Sequence, residues 1–128
     1  RLKRICMAKT ILIVEDNGLN MKLFDDLLKI AGYVTLQAGD GRIGFKMAME
    51  HRPDLIIMDI QLPEISGLEV TKMIRAEDDI KHTPIIAVTA FAMKGDRETM
   101  LQAGCDDYIP KPIAVPHFLE TIMQYIGE

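Results

Sequence analysis

Three unbroken apolar runs, Ile11-Leu12-Ile13-Val14, Leu55-Ile56-Ile57-Met58 and Ile85-Ile86-Ala87-Val88, constrain this chain more than any other feature. Each is too short for a helix and too uniform for a strand with one wet face. Such runs suit strands buried on both sides, the pattern of a parallel sheet covered by helices. Amphipathic stretches separate them. After a first strand over 10–15, residues Leu23, Phe24, Leu27, Leu28 and Ala31 mark one helical face, with Asn17 able to cap its start and Gly32 its end.

The alternation continues along the chain. A second strand is predicted over 33–38, a helix over 42–50, the third strand over 55–58 and a helix over 68–75. The fourth strand covers 85–89, a helix 96–103 ends at Gly104, and a fifth strand covers 107–109. Pro116 suits the first turn of a last helix, predicted to bury Phe118, Leu119, Ile122, Met123 and Ile126. Five βα units in a row imply an α/β fold, one (βα)5 domain with a five-stranded parallel sheet. The right-handed crossover rule leaves few topologies, and the flavodoxin-like strand order 2-1-3-4-5 is the natural one.

That topology gives the strand ends a chemical meaning. The first run leads into Glu15-Asp16, the third strand into Asp59, the fourth into Thr89 and Tyr108-Ile109-Pro110 into Lys111. Parallel strands bring all these groups to one edge, where open α/β sheets bind ligands. Three carboxylates held close must protonate, separate or bind a cation. All-oxygen ligation suits Mg²⁺ or Mn²⁺. With Lys111 and Thr89 opposite, the set is the one needed for Asp59 to accept a phosphoryl group as nucleophile.

Composition narrows the alternatives. The 128 residues carry 15 Lys and Arg against 19 Asp and Glu, a net charge of −4, which argues against direct DNA binding through a basic surface. Hydrophobic residues make up 48% and charged residues 27%, as in a soluble globular domain. No run approaches membrane-spanning length, and Cys6 and Cys105, far apart, suit a reducing compartment, so a cytoplasmic location is expected. Residues 1–6 are basic without an apolar core and read as a disordered extension or cloning scar, with Met7 as the natural start of a domain over 7–128. The chain ends two residues after Ile126, and no fused output domain is expected. The many methionines, among them Met47, Met49, Met73 and Met100, read as flexible core filling. His51, His82 and His117 lack metal-ligand spacing.

The motifs Glu15-Asp16-Asn17, Met58-Asp59-Ile60-Gln61-Leu62-Pro63, Gly67, Thr89-Ala90 and Lys111-Pro112 resemble the receiver domain of two-component response regulators over 9–126. The resemblance implies Asp59 as phosphoacceptor, Asp16 as a direct metal ligand, Glu15 as a second acidic group acting through water, and the Gln61 backbone carbonyl as a further ligand. It implies phosphoryl sensing by Thr89 and Lys111, a switch role for Tyr108, and a cis Lys111–Pro112 bond. Many members have Asp where this chain has Glu15. The implied partners are sensor histidine kinases or histidine phosphotransfer proteins, docking at Asn20, Met21, Pro112 and Ile113. A downstream protein would bind the face of helix 4, strand 5 and helix 5.

Further stretches, including Asn20-Met21-Lys22-Leu23-Phe24 and Phe91-Ala92-Met93-Lys94-Gly95-Asp96, resemble single-domain regulators of cell division and polarity in alphaproteobacteria. Recruitment to cell poles by membrane kinases is then an expectation. So is a signalling role in which the only catalysis is self-phosphorylation and slow self-dephosphorylation. A detached receiver of a hybrid kinase or chemotaxis pathway is the nearest alternative. An Asp-nucleophile phosphatase is disfavoured, because it needs a second Asp two residues after the nucleophile and Gln61 stands there. A flavodoxin-like electron carrier would place its cofactor phosphate against Glu15-Asp16-Asn17, which would repel it.

Overall fold

Successive residues of a strand face opposite sides of a sheet, and here both sides are covered. In the computed structural model, which describes residues 8–90 and 94–127, β1 (Thr10–Val14), β2 (Val34–Ala38), β3 (Leu55–Asp59), β4 (Ile85–Thr89) and β5 (Asp107–Pro110) form one parallel sheet. The order is β2-β1-β3-β4-β5, as predicted. The tail over 1–6, Met7 and the motif residues 91–93 lie outside the described residues.

The three buried strands split their side chains between two cores. Leu12, Val14, Ile56, Met58, Ile85 and Ala87 pack with α2 (Gly41–His51), α3 (Gly67–Arg75) and α4 (Lys94–Ala103). Ile11, Ile13, Leu55, Ile57, Ile86 and Val88 pack with α1 (Gly18–Ile30) and α5 (Val115–Ile126). Phe24 of α1 stacks on Phe118 of α5 with ring centroids 5.4 Å apart, closing the second core. Gly44 lets α2 approach β1, since a Cβ there would lie 2.9 Å from both methyls of Val14. Met100 fills the first core as expected, and Met47 and Met49 pack against it partly buried.

Helix ends follow the residues that can satisfy them. Asn17 accepts from the Asn20 N–H at the start of α1, and Gly32 follows the helix at φ +99°. Asp40 and Ser66 cap α2 and α3 in the same way. Two predicted faces shift in phase. On α1 the buried residues are Met21, Phe24, Asp25 and Leu28, while Leu23 is 41% exposed and Ala31 lies outside the core. On α5, Met123 was expected in the core and is 53% exposed. Both helices carry more apolar residues than one core-facing stripe holds, so the pattern alone does not fix which of them turn inward.

Candidate functional site

Strand pairing gathers the predicted groups. Val14 pairs with Met58, Asp59 with Val88 and Thr89 with Pro110, so the residues at and just past these ends share one edge. Glu15 and Asp59 are almost fully buried, whereas Asp16 is exposed. One carboxylate oxygen from each of the three lies within 4.8 Å of the others, close enough to hold a single cation.

Each carboxylate is oriented by backbone or by charge. Asp59 Oδ1 accepts from the Gln61 backbone N–H at 3.1 Å, and Lys111 Nζ stands 3.4 Å from the same oxygen. Lys111 Nζ is also 3.3 Å from Glu15 Oε1. Glu15 Oε2 accepts from the Asn17 N–H at 3.1 Å. Glu15 Oε1 is buried and accepts no hydrogen bond among the described residues, with the Lys111 ammonium 3.3 Å from it. Burial raises the Glu15 carboxyl and the Asp59 carboxylate raises it further, while the Asn17 N–H and Lys111 pull it down. The balance lies at about 7 against an ordinary 4.5. An orphaned buried oxygen and a set of hard oxygen donors fit a divalent cation such as Mg²⁺.

Lys111 is placed from the neighbouring strand end. Its backbone N–H donates to the Thr89 carbonyl at 2.8 Å, and the Lys111–Pro112 peptide is cis, as the family resemblance implies. Thr89 is buried, and its Oγ1 accepts from Gln61 Nε2 at 2.9 Å. Tyr108 is partly buried against the first core, with the Arg97 guanidinium 5.8 Å from its ring centroid.

The chain matches the family described as response regulator receiver domain over residues 11–123. It belongs to the response regulator receiver family. The polar-differentiation response regulator DivK of Brucella anthropi is 59% identical over 122 residues, covering 95% of this chain and 99% of that relative. Its counterpart in Brucella ovis is 57% identical over the same span. Among solved structures, the receiver domain of sensor histidine kinase PA1611 from Pseudomonas aeruginosa has a TM-score of 0.88 at 38% identity, covering 95% of this chain and 100% of its own. That structure has a magnesium ion coordinated in its active-site cleft. Chemotaxis protein CheY4 of Vibrio cholerae has a TM-score of 0.89 at 27% identity, covering 93% and 99%. This receiver is a response regulator, a signalling protein similar along its length to DivK.

A groove of about 120 Å³ beside the receiver's acidic cluster is lined by Asn20, Leu23, Phe24, Lys111, Pro112 and Ile113. Met21 is only 9% exposed and packs in the second core. Of the apolar groups that α1 shows to solvent, Leu19, Leu23 and Ile30, only Leu23 lines this groove. Sequence reasoning also missed the Gln61 side chain and Arg97. Their partners lie 28 and 11 positions away, and no local pattern signals such pairs.

Proposed function

We propose that Asp59 is the phosphoryl acceptor of this receiver. The carrying observation is that Asp59 sits buried at its strand end, held by the Gln61 N–H and faced by Lys111, with Glu15 and Asp16 within ligating reach. Glu15, Asp16, Asp59 and the Gln61 carbonyl would hold the cation, Mg²⁺ or in its place Mn²⁺. When bound, that cation supplies charge that offsets the carboxylates and the phosphoryl oxygens.

The donor is the phosphohistidine of a sensor kinase or a histidine phosphotransfer protein. A carboxylate oxygen of Asp59 forms a bond to phosphorus as the phosphorus–nitrogen bond breaks. The imidazole leaves with that electron pair and takes a proton from solvent. The Lys111 ammonium, already beside Asp59, offsets part of the negative charge on the phosphoryl oxygens, and the Thr89 hydroxyl donates to one of them. Water later hydrolyses the acyl phosphate slowly, and the chain catalyses nothing beyond its own phosphorylation and dephosphorylation.

Residues 7–128 act as one receiver, and output passes through protein contacts on the face of α4, β5 and α5, with Tyr108 turning inward as Thr89 moves. The DivK relatives support a place in cell-division and polarity control. Among the described residues no helix is long and apolar enough to cross a membrane. We place the protein in the cytoplasm, with kinases recruiting it to cell poles. Incubation with acetyl phosphate and Mg²⁺, followed by intact mass, tests the acceptor. Wild type should gain one phosphoryl group and Asp59→Ala none; equal gain in both would refute the assignment.

A further inference from the structure

The proposed cation site uses only the backbone of Gln61, yet the Gln61 side-chain amide makes two hydrogen bonds at the end of β4. Nε2 donates to Thr89 Oγ1 at 2.9 Å, and Oε1 accepts from the Ala90 N–H at 3.3 Å. One primary amide therefore spans the last side chain of β4 and the first N–H beyond it. The same residue's backbone N–H donates to Asp59 Oδ1 at 3.1 Å. Gln61 thus ties the nucleophile to the end of β4, through its main chain on one side and its side chain on the other.

That position conflicts with phosphorylation. A phosphoryl group on Asp59 brings anionic oxygens that need donors. The Ala90 N–H is occupied by Gln61 Oε1, and the Thr89 hydroxyl is held in place by Gln61 Nε2. A charged acceptor forms stronger hydrogen bonds than a neutral amide carbonyl, so the phosphoryl group can displace the amide, at the expense of the two bonds the amide already makes.

The molecule also has room for the displaced group. A cavity of about 90 Å³ opens beside Gln61 and Thr89, walled by Ile60, Leu68 and, on α4, Thr99 and Met100. A side chain released from Thr89 would move against α4.

We propose that the Gln61 side chain is a positioning residue: it holds the Thr89 hydroxyl in its unphosphorylated arrangement and competes with the phosphoryl group for the Ala90 N–H. This rests on Asp59 as acceptor. Removing the amide then helps phosphorylation, the reverse of what losing an ordinary structural contact does.

The test measures binding of beryllofluoride, a phosphoryl mimic, with Mg²⁺, and separately binding of Mg²⁺ alone. Gln61→Leu keeps the side-chain volume and the backbone carbonyl but loses the amide. It should bind beryllofluoride roughly two- to tenfold more tightly, the worth of a competing hydrogen bond, when the two proteins are compared at Mg²⁺ concentrations that the separate Mg²⁺ titration shows to be saturating for each. In a Thr89→Val background the gain should shrink, because the hydroxyl that anchors the Gln61 amide is gone. Gln61→Asn, too short to span both groups, should show the same direction and keeps the test available if the leucine variant folds poorly. Unchanged or weaker beryllofluoride binding in either folded variant overturns the proposal. Asp59→Ala serves as the reference: if wild type binds the mimic no better than this variant, the acceptor reading itself fails, and the competition proposal fails with it.

Discussion

Gly67 presses the bare side of its Cα against the carbonyl of Asp59, and a Cβ built on Gly67 would overlap that oxygen. The next nearest atoms are also backbone, the Asp59 carbonyl carbon and Ile60 Cα, which cannot rotate aside. The Gly67 N–H meanwhile donates to the Ile60 carbonyl at 3.1 Å, fixing α3 against the end of β3. Gly67→Ala should therefore cost about 1–3 kcal/mol, as overpacking does, and should slow acetyl phosphate labelling of Asp59. Gly95→Ala meets open space on α4 and should be neutral or stabilising by up to about 1 kcal/mol. Urea denaturation of the two variants separates a close backbone approach from a generic glycine effect.

Arg75 clasps two loops at the opposite end of the sheet. Nε donates to the Gly104 carbonyl at 2.9 Å, Nη1 to the Lys81 and Thr83 carbonyls at 2.9 and 2.7 Å, and Nη2 to Asp106 Oδ2 at 2.8 Å. Asp106 Oδ2 also accepts from the Ile85 N–H at the start of β4. A lysine keeps the charge but not the planar fork. Arg75→Lys should cost roughly 2–3 kcal/mol, since several carbonyls lose their donor together. Lys72→Ala, which breaks only an exposed pair with Glu69, should stay within about 0.5 kcal/mol. Equal denaturation midpoints for the two variants would contradict the clasp.

Asp25 makes stability depend on acid pH. Burial alone would raise its carboxyl, but hydrogen bonds from Thr35, Lys29 and Gln37 and the Lys29 charge, 2.9 Å away, outweigh burial and hold it below the ordinary 3.8. The native state therefore binds this proton less readily than the unfolded chain. The contribution is complete above the unfolded value of 3.8 and disappears as pH falls through the lower folded value. Asp25→Asn should destabilise by roughly 1–3 kcal/mol at about pH 7. Its gap from wild type should narrow on acidification below about pH 4. Denaturation midpoints that keep a constant gap across that range would remove Asp25 from the account.

The groove beside Lys111 makes Leu23, not Met21, the residue with which to probe kinase docking. Leu23 is exposed and lines the groove, while Met21→Glu would bury a charge in the second core. Leu23→Glu should slow phosphotransfer from a cognate kinase several-fold and leave acetyl phosphate labelling of Asp59 unchanged. A parallel loss in both assays would point to damage of the site instead of the docking surface.

The contrast between Met21 and Leu23 shows where the sequence stops being informative. β1, β3 and β4 are legible because a strand buried on both faces needs every residue apolar, so no phase has to be chosen. Glu15, Asp59, Thr89 and Lys111 are legible because parallel strands bring their ends together whatever their side chains do. Helix α1 is different. Leu19, Met21, Leu23, Phe24, Leu27, Leu28 and Ile30 nearly encircle it, and only packing against α5 and the sheet selects Met21, Phe24 and Leu28 for burial. Asp25 sits on the same inward side, acceptable there because Thr35 of β2 reaches it. The Gln61 amide was out of reach for the same reason: its partners are across the site on another strand.

The hydrogen bond from the Lys111 N–H to the Thr89 carbonyl gears two strand ends together. Displacing Thr89 along its strand strains this bond unless Lys111, just past the end of β5, follows. Tyr108 lies three positions upstream of Lys111, so the bond ties the tip of one strand to the strand that carries this ring. If phosphorylation shifts Thr89, a linkage of stiff rods joined at their tips would pass that shift to the next rod, where a loose loop would absorb it.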